Sequence, residues 1–166
     1  MPSRKTLLAG MLVVTAQLLL SGCEQEAFSR QDYPNQKTLF GNVQSEGIAV
    51  GFMDRKIAVR FVGVSYGPAP FDSMADKAIR EIIGSSKVTC NYDPDARKNR
   101  NKGRTKYGRC YVGENDLALE MVKAGWLEIG YRKEKELGPD LDKYKEAQEQ
   151  AKKECKGLWQ VASWCT

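Results

Sequence analysis

Apolar and polar positions along the chain change period several times. Residues 7–20 form an almost unbroken apolar run behind Arg4 and Lys5. The run is too short, and too close to the start, for an ordinary spanning helix, and it predicts a cleaved export signal. Residues 24–37 are polar without a clear apolar period and predict a flexible spacer. From Thr38 the pattern becomes short and β-rich, in runs at 38–43, 47–52 and 56–64, with Met53-Asp54-Arg55 placed for a hairpin turn.

The period then lengthens. Phe71, Met74, Ala75, Ala78, Ile79, Ile82 and Ile83 recur as one face of a helix that Asp72 or Ser73 can cap and Gly84 ends. Residues 87–92 and 107–112 alternate as a hairpin whose long connection, 93–106, is polar. Asn115 or Asp116 can cap a second helix burying Leu117, Met121 and Val122 and stopping at Gly125, and an extended piece follows over 126–131. A last helix is expected from Pro139, tolerated at a first helical position, to Lys156, with Leu141, Tyr144, Ala147, Ala151 and Cys155 on one face. Strands followed by interleaved helices imply an α+β domain. Trp126, Trp159 and Trp164 sit at helix ends and read as packing residues.

Composition narrows the chemistry. The chain has no histidine, which removes histidine-based triads and general bases and the common catalytic zinc sites. Cys90, Cys110, Cys155 and Cys165 form an even set in an exported chain. Three connectivities are open; proximity in sequence favours Cys90–Cys110 across the hairpin and Cys155–Cys165 around the end of the last helix. A zinc site is the weaker reading, because no C-x-x-C occurs. The formal net charge is +5, concentrated in Arg97, Lys98, Arg100, Lys102, Arg104, Lys106 and Arg109. That density suits a polyanion, with Tyr92, Tyr107 and Tyr111 near enough to stack on bases. The bland alternatives are a solvated loop or one that meets anionic lipid headgroups.

Leu20-Ser21-Gly22-Cys23 resembles the lipobox of bacterial lipoproteins. The resemblance implies a signal peptide over 1–22, acylation of Cys23 and a tether over 23–37, followed by a domain over 38–160 and a tail over 161–166. The membrane is then a partner through the lipid anchor. Glu24, rather than Asp, after the cysteine is similar to lipoproteins passed to the outer membrane, facing the periplasm or the cell surface.

Three further motifs carry a resemblance to the thermonuclease (staphylococcal-nuclease-like) family. They are Val59-Arg60-Phe61-Val62-Gly63-Val64, Tyr107-Gly108-Arg109, and the run from Tyr144 to Gly157-Leu158-Trp159. Cys90 and Cys110 look like the disulfide-linked hairpin of secreted members. The likeness implies a five-stranded OB-type β-barrel with about three helices. It also implies that Arg60 and Arg109 are the retained catalytic arginines, facing one phosphate-binding cleft. A pair of guanidinium groups suits the charge that gathers on a phosphoryl group in flight.

The departures are as informative. In that family calcium is held mainly by aspartates, and a glutamate activates or orients water. Here D-G-D falls on Glu46-Gly47-Ile48, Ser65 stands for an aspartate, and Pro68 for the glutamate. Isoleucine and proline side chains cannot ligate a hard cation, so no cofactor is expected unless Glu46, Asp54 or Asp72 supplies displaced carboxylates for calcium. The sequence therefore favours a lipid-anchored pseudo-nuclease of the cell envelope that binds nucleic acid, another polyanion or an envelope protein partner. An active envelope endonuclease and a structural subunit of a secretion or conjugation assembly are the alternatives.

Overall fold

The computed structural model describes residues 35–67, 71–100, 103–162 and 165. The expected signal sequence, Cys23, Pro68, Lys102 and Trp164 lie outside them.

The first strands follow the apolar alternation but are cut shorter than the pattern suggests. The run 38–43 gives β1 (Lys37–Gly41) and hands over to β2 (Gln44–Glu46), because β1 pairs with β6 (Val88–Tyr92) whereas β2 pairs with β3 (Ala49–Phe52). Gly47, at φ +47°, makes the tight reversal between β2 and β3. The run 56–64 likewise splits into β4 (Ile57–Phe61) and β5 (Val64–Tyr66) at Gly63, φ +76°. A Cβ there would lie 2.3 Å from Leu137 Cδ2, so only glycine lets the chain bend against that side chain.

The sheet runs β1-β6-β7-β4-β3-β2, with β7 (Thr105–Val112) parallel to β4 and antiparallel to β6, and with β8 (Asn115–Asp116) added to β7. It curls into an open half-barrel; β5 pairs separately with β9 (Leu127–Ile129). The fold is α+β and OB-like. Nine strands rather than five lie among the described residues, because two expected long strands break where the chain changes partner and the short β8 and β9 add to them.

Four α-helices lie among the described residues: α1 (Phe71–Ile83), the single turn α2 (Arg97–Arg100), α3 (Leu117–Lys123) and α4 (Leu141–Lys153). Helix α1 buries Ala75, Ile79 and Ile83, but Met74, at the edge of the expected apolar stripe, is 50% exposed. Pro139 falls in a 3-10 turn (Gly138–Asp140) ahead of α4 rather than in it. Val50, Val59, Leu117, Met121 and Leu127 are fully buried between sheet and helices, each contributing about 1.5–3 kcal/mol. Both expected disulfides, Cys90–Cys110 and Cys155–Cys165, are formed. The first joins directly paired residues of β6 and β7. No helix among the described residues is long and apolar enough to cross a membrane.

Candidate nucleic-acid interface

The parallel pairing of β4 with β7 sets Arg60 opposite Tyr107, and paired residues project to one side of a sheet. Both side chains line a cavity of about 490 Å³ with Phe61, Val64, Lys98, Lys133 and Glu136. Arg60 is exposed, and its guanidinium makes no hydrogen bond or ion pair among the described residues. Lys98 comes from α2; Lys133 and Glu136 come from the segment around the 3-10 turn Glu134–Glu136. Lys98 pairs with Glu136 and lies 5.5 Å from the centroid of the half-buried Tyr107 ring. A smaller cavity of about 220 Å³ continues past Lys98 and Tyr107 to Asp93 and Lys135.

Arg109 is not in this cleft. The β4 pairing ends at Phe61–Gly108, and beyond it β7 runs under the helices. Arg109 is 2% exposed; its Nη1 donates to Asp140 Oδ2 at 2.7 Å and to Asp116 Oδ2 at 3.3 Å, and its Nη2 donates to the Leu137 carbonyl at 2.6 Å. The Tyr144 hydroxyl completes the cluster by donating to Asp116 Oδ2 at 2.9 Å. Asp116 Oδ1 caps α3 by accepting from the Ala118 and Leu119 amides, as the sequence foresaw. Burial pushes the Asp116 carboxyl above its usual range, against the pull of Arg109 and of the Tyr144 hydrogen bond. Burial also lowers Arg109, but Tyr144, Asp116, Tyr111 and Asp140 together outweigh it. The two terminal nitrogens of the guanidinium therefore have their acceptors inside the protein and join β7 to the starts of α3 and α4.

The basic segment is less free than its composition suggests. Lys98 is held by Glu136, Arg100 Nε donates to the Asp95 carbonyl at 2.6 Å, and Lys106 Nζ donates to the Asn99 carbonyl at 3.1 Å. Arg97 is exposed on α2, and Arg104 lines a separate hollow of about 210 Å³ with Glu46 and Lys56. Buried Asn99 pins the segment: its Nδ2 donates to the Asp93 and Tyr107 carbonyls, and its Oδ1 accepts from the Tyr107 amide at 2.7 Å. Tyr92 and Tyr111 are 6% and 0% exposed; both face the interior, so of the three tyrosines only Tyr107 can meet a base.

Among the described residues, two of the acid positions of the resemblance carry no carboxylate. Ile48 is a core residue, 4% exposed, and Ser65 sits in β5 opposite Glu128 of β9. Tyr66, which no pattern in the sequence marks, closes the place between them. Its hydroxyl accepts from the Ile48 amide at 3.0 Å and donates to the Glu46 carbonyl at 3.0 Å. Burial raises the Tyr66 phenol; the Ile48 amide and Arg60 oppose that, and Asp76 and Asp72 add to it. Of the displaced acids, Glu46 is exposed, Asp54 pairs with Arg55 at 3.6 Å, and Asp72 accepts from the Ser73 amide. Among the described residues no three acidic, cysteine or histidine side chains converge as a metal site. The residues present do not fit a calcium ion.

A family model described as Staphylococcal nuclease homologue matches residues 58–161. The match runs from β4 to the 3-10 turn Gly157–Val161, and so includes Arg60, Lys98, Tyr107, Lys133 and Glu136. No curated protein matches the chain. A nuclease-like or nucleic-acid-binding function is supported at that level.

Proposed function

Because the chain belongs to the staphylococcal nuclease homologue family, we propose that it binds single-stranded nucleic acid in the Arg60 cleft without calcium-dependent hydrolysis, tethered to the cell envelope by a lipid on Cys23. The observation that carries the binding reading is Arg60 itself. Its guanidinium makes no hydrogen bond or ion pair among the described residues, in a cavity shared with two lysines, a half-exposed tyrosine and Glu136. Arginine offers parallel donors to phosphate oxygens, and an aromatic face accepts any base by stacking. A single strand presents both groups at once, whereas a duplex keeps its base faces stacked.

Loss of hydrolysis is supported by the chemistry at Ile48, Ser65 and Tyr66. A buried isoleucine and a hydroxyl offer no carboxylate to offset the dehydration of a divalent cation. What Arg60, Lys98 and Lys133 supply is attraction for phosphate.

The test is fluorescence anisotropy of a labelled single-stranded oligonucleotide titrated with the full chain in detergent. Arg60→Ala is expected to weaken binding about tenfold for every sequence and to lower the magnitude of the salt slope by about 0.7, the share of one phosphate contact on a single strand. Unchanged affinity and slope in that variant would contradict the assignment of the cleft.

A further inference from the structure

We infer that Glu136 stands in for a phosphate in the Arg60 cleft, and that a nucleic-acid strand enters by displacing it. This rests on the binding reading above and adds the group that holds the site closed. Glu136 is the one carboxylate among the cavity's described lining, against the cations Arg60, Lys98 and Lys133. Its two oxygens are used separately: one accepts from the Lys98 ammonium, and the other accepts from the Gly63 amide at 3.1 Å. One ammonium and one backbone N–H on two oxygens of a single anion is the set that two non-bridging phosphate oxygens would take.

The arrangement has a second consequence, at Tyr107. Glu136 holds Lys98 with its ammonium 5.5 Å from the Tyr107 ring centroid, covering an aromatic face by a cation–π contact. A phosphate that takes Lys98 and the Gly63 amide leaves neither donor unsatisfied, and movement of Lys98 toward the strand uncovers the ring for a base. The Glu136 side chain, 25% exposed, already reaches solvent at its edge. Phosphate capture and base stacking are thereby coupled through one side chain, and the carboxylate discriminates against ligands too weakly anionic to displace it.

The measurement is the same anisotropy titration on the full chain, comparing native protein with Glu136→Gln, Arg60→Ala and the double variant. Glutamine keeps an oxygen for the Gly63 amide and removes the charge. Glu136→Gln is expected to bind about tenfold more tightly than native protein, with the gain shrinking as salt rises, and Arg60→Ala is expected to weaken both backgrounds. Glu136→Ala, with its folding checked by thermal melting, should shift affinity in the same direction. Arg60-dependent binding that is unchanged or weaker in both Glu136 variants overturns this inference and leaves the cleft in place. Binding that ignores Arg60, or no binding by any variant, overturns the cleft and the inference with it.

Discussion

Arg109→Ala is expected to destabilise the fold by about 3–5 kcal/mol, while the fraction that remains folded binds nucleic acid as native protein does. The guanidinium is nearly inaccessible and serves two carboxylates and a carbonyl contributed by β8, the 3-10 turn before α4 and the residue preceding that turn. Removing it leaves Asp116 buried beside a cavity with no paired cation, and leaves Asp140 with Lys143 alone, 3.9 Å from its Oδ1. Asp116, already pushed upward by burial, loses the charge that opposes that push. Arg109→Lys should fall between, since an ammonium keeps the charge but cannot span Asp140 and the Leu137 carbonyl as a fork does. Urea unfolding of the three proteins measures this directly. A loss below about 1 kcal/mol for Arg109→Ala, the range of an ordinary surface substitution, together with weakened binding, would return Arg109 to the role that the family resemblance implied.

Cys23→Ser is expected to move the protein from the membrane fraction to the soluble one. Each buried methylene of an acyl chain adds about 0.8 kcal/mol, and two or three chains make attachment effectively permanent. Native protein should need detergent for release and carry the mass of its acyl chains by mass spectrometry. Native protein recovered without detergent, at the mass of an unmodified chain, would contradict the anchor. Such a tether would also bear on binding, since it would hold the Arg60 cleft within a short distance of the membrane surface and whatever polyanion collects there.

What could be read in the sequence, and what could not, divides by the range of the interaction responsible. The Asp116 cap lies within three residues of the amides that it serves, and the pattern narrowed it to Asn115 or Asp116. The disulfides were legible from parity and proximity. The break at Gly63 was not, because the side chain that demands it is Leu137, far along the chain. Arg109 looked like one more cation beside a basic loop because its partners stand 7 and 31 residues away. Lys98 and Glu136 are 38 residues apart, and Tyr66 meets the Glu46–Ile48 turn across 18 and 20. None of these pairs leaves a mark on local periodicity. The same limit explains the basic loop: its charge was countable, but the backbone acceptors that hold Arg100 and Lys106 were not.

The most direct test of a binding domain without calcium-dependent hydrolysis is incubation of single-stranded and duplex DNA with the purified chain, native and Arg60→Ala, in calcium and in EDTA. Intact DNA is expected in every lane, with Arg60-dependent retention of the single strand in a parallel binding assay. Calcium-dependent cutting that disappears in Arg60→Ala would contradict that expectation, and would mean that carboxylates other than those at the family positions complete a working nuclease site.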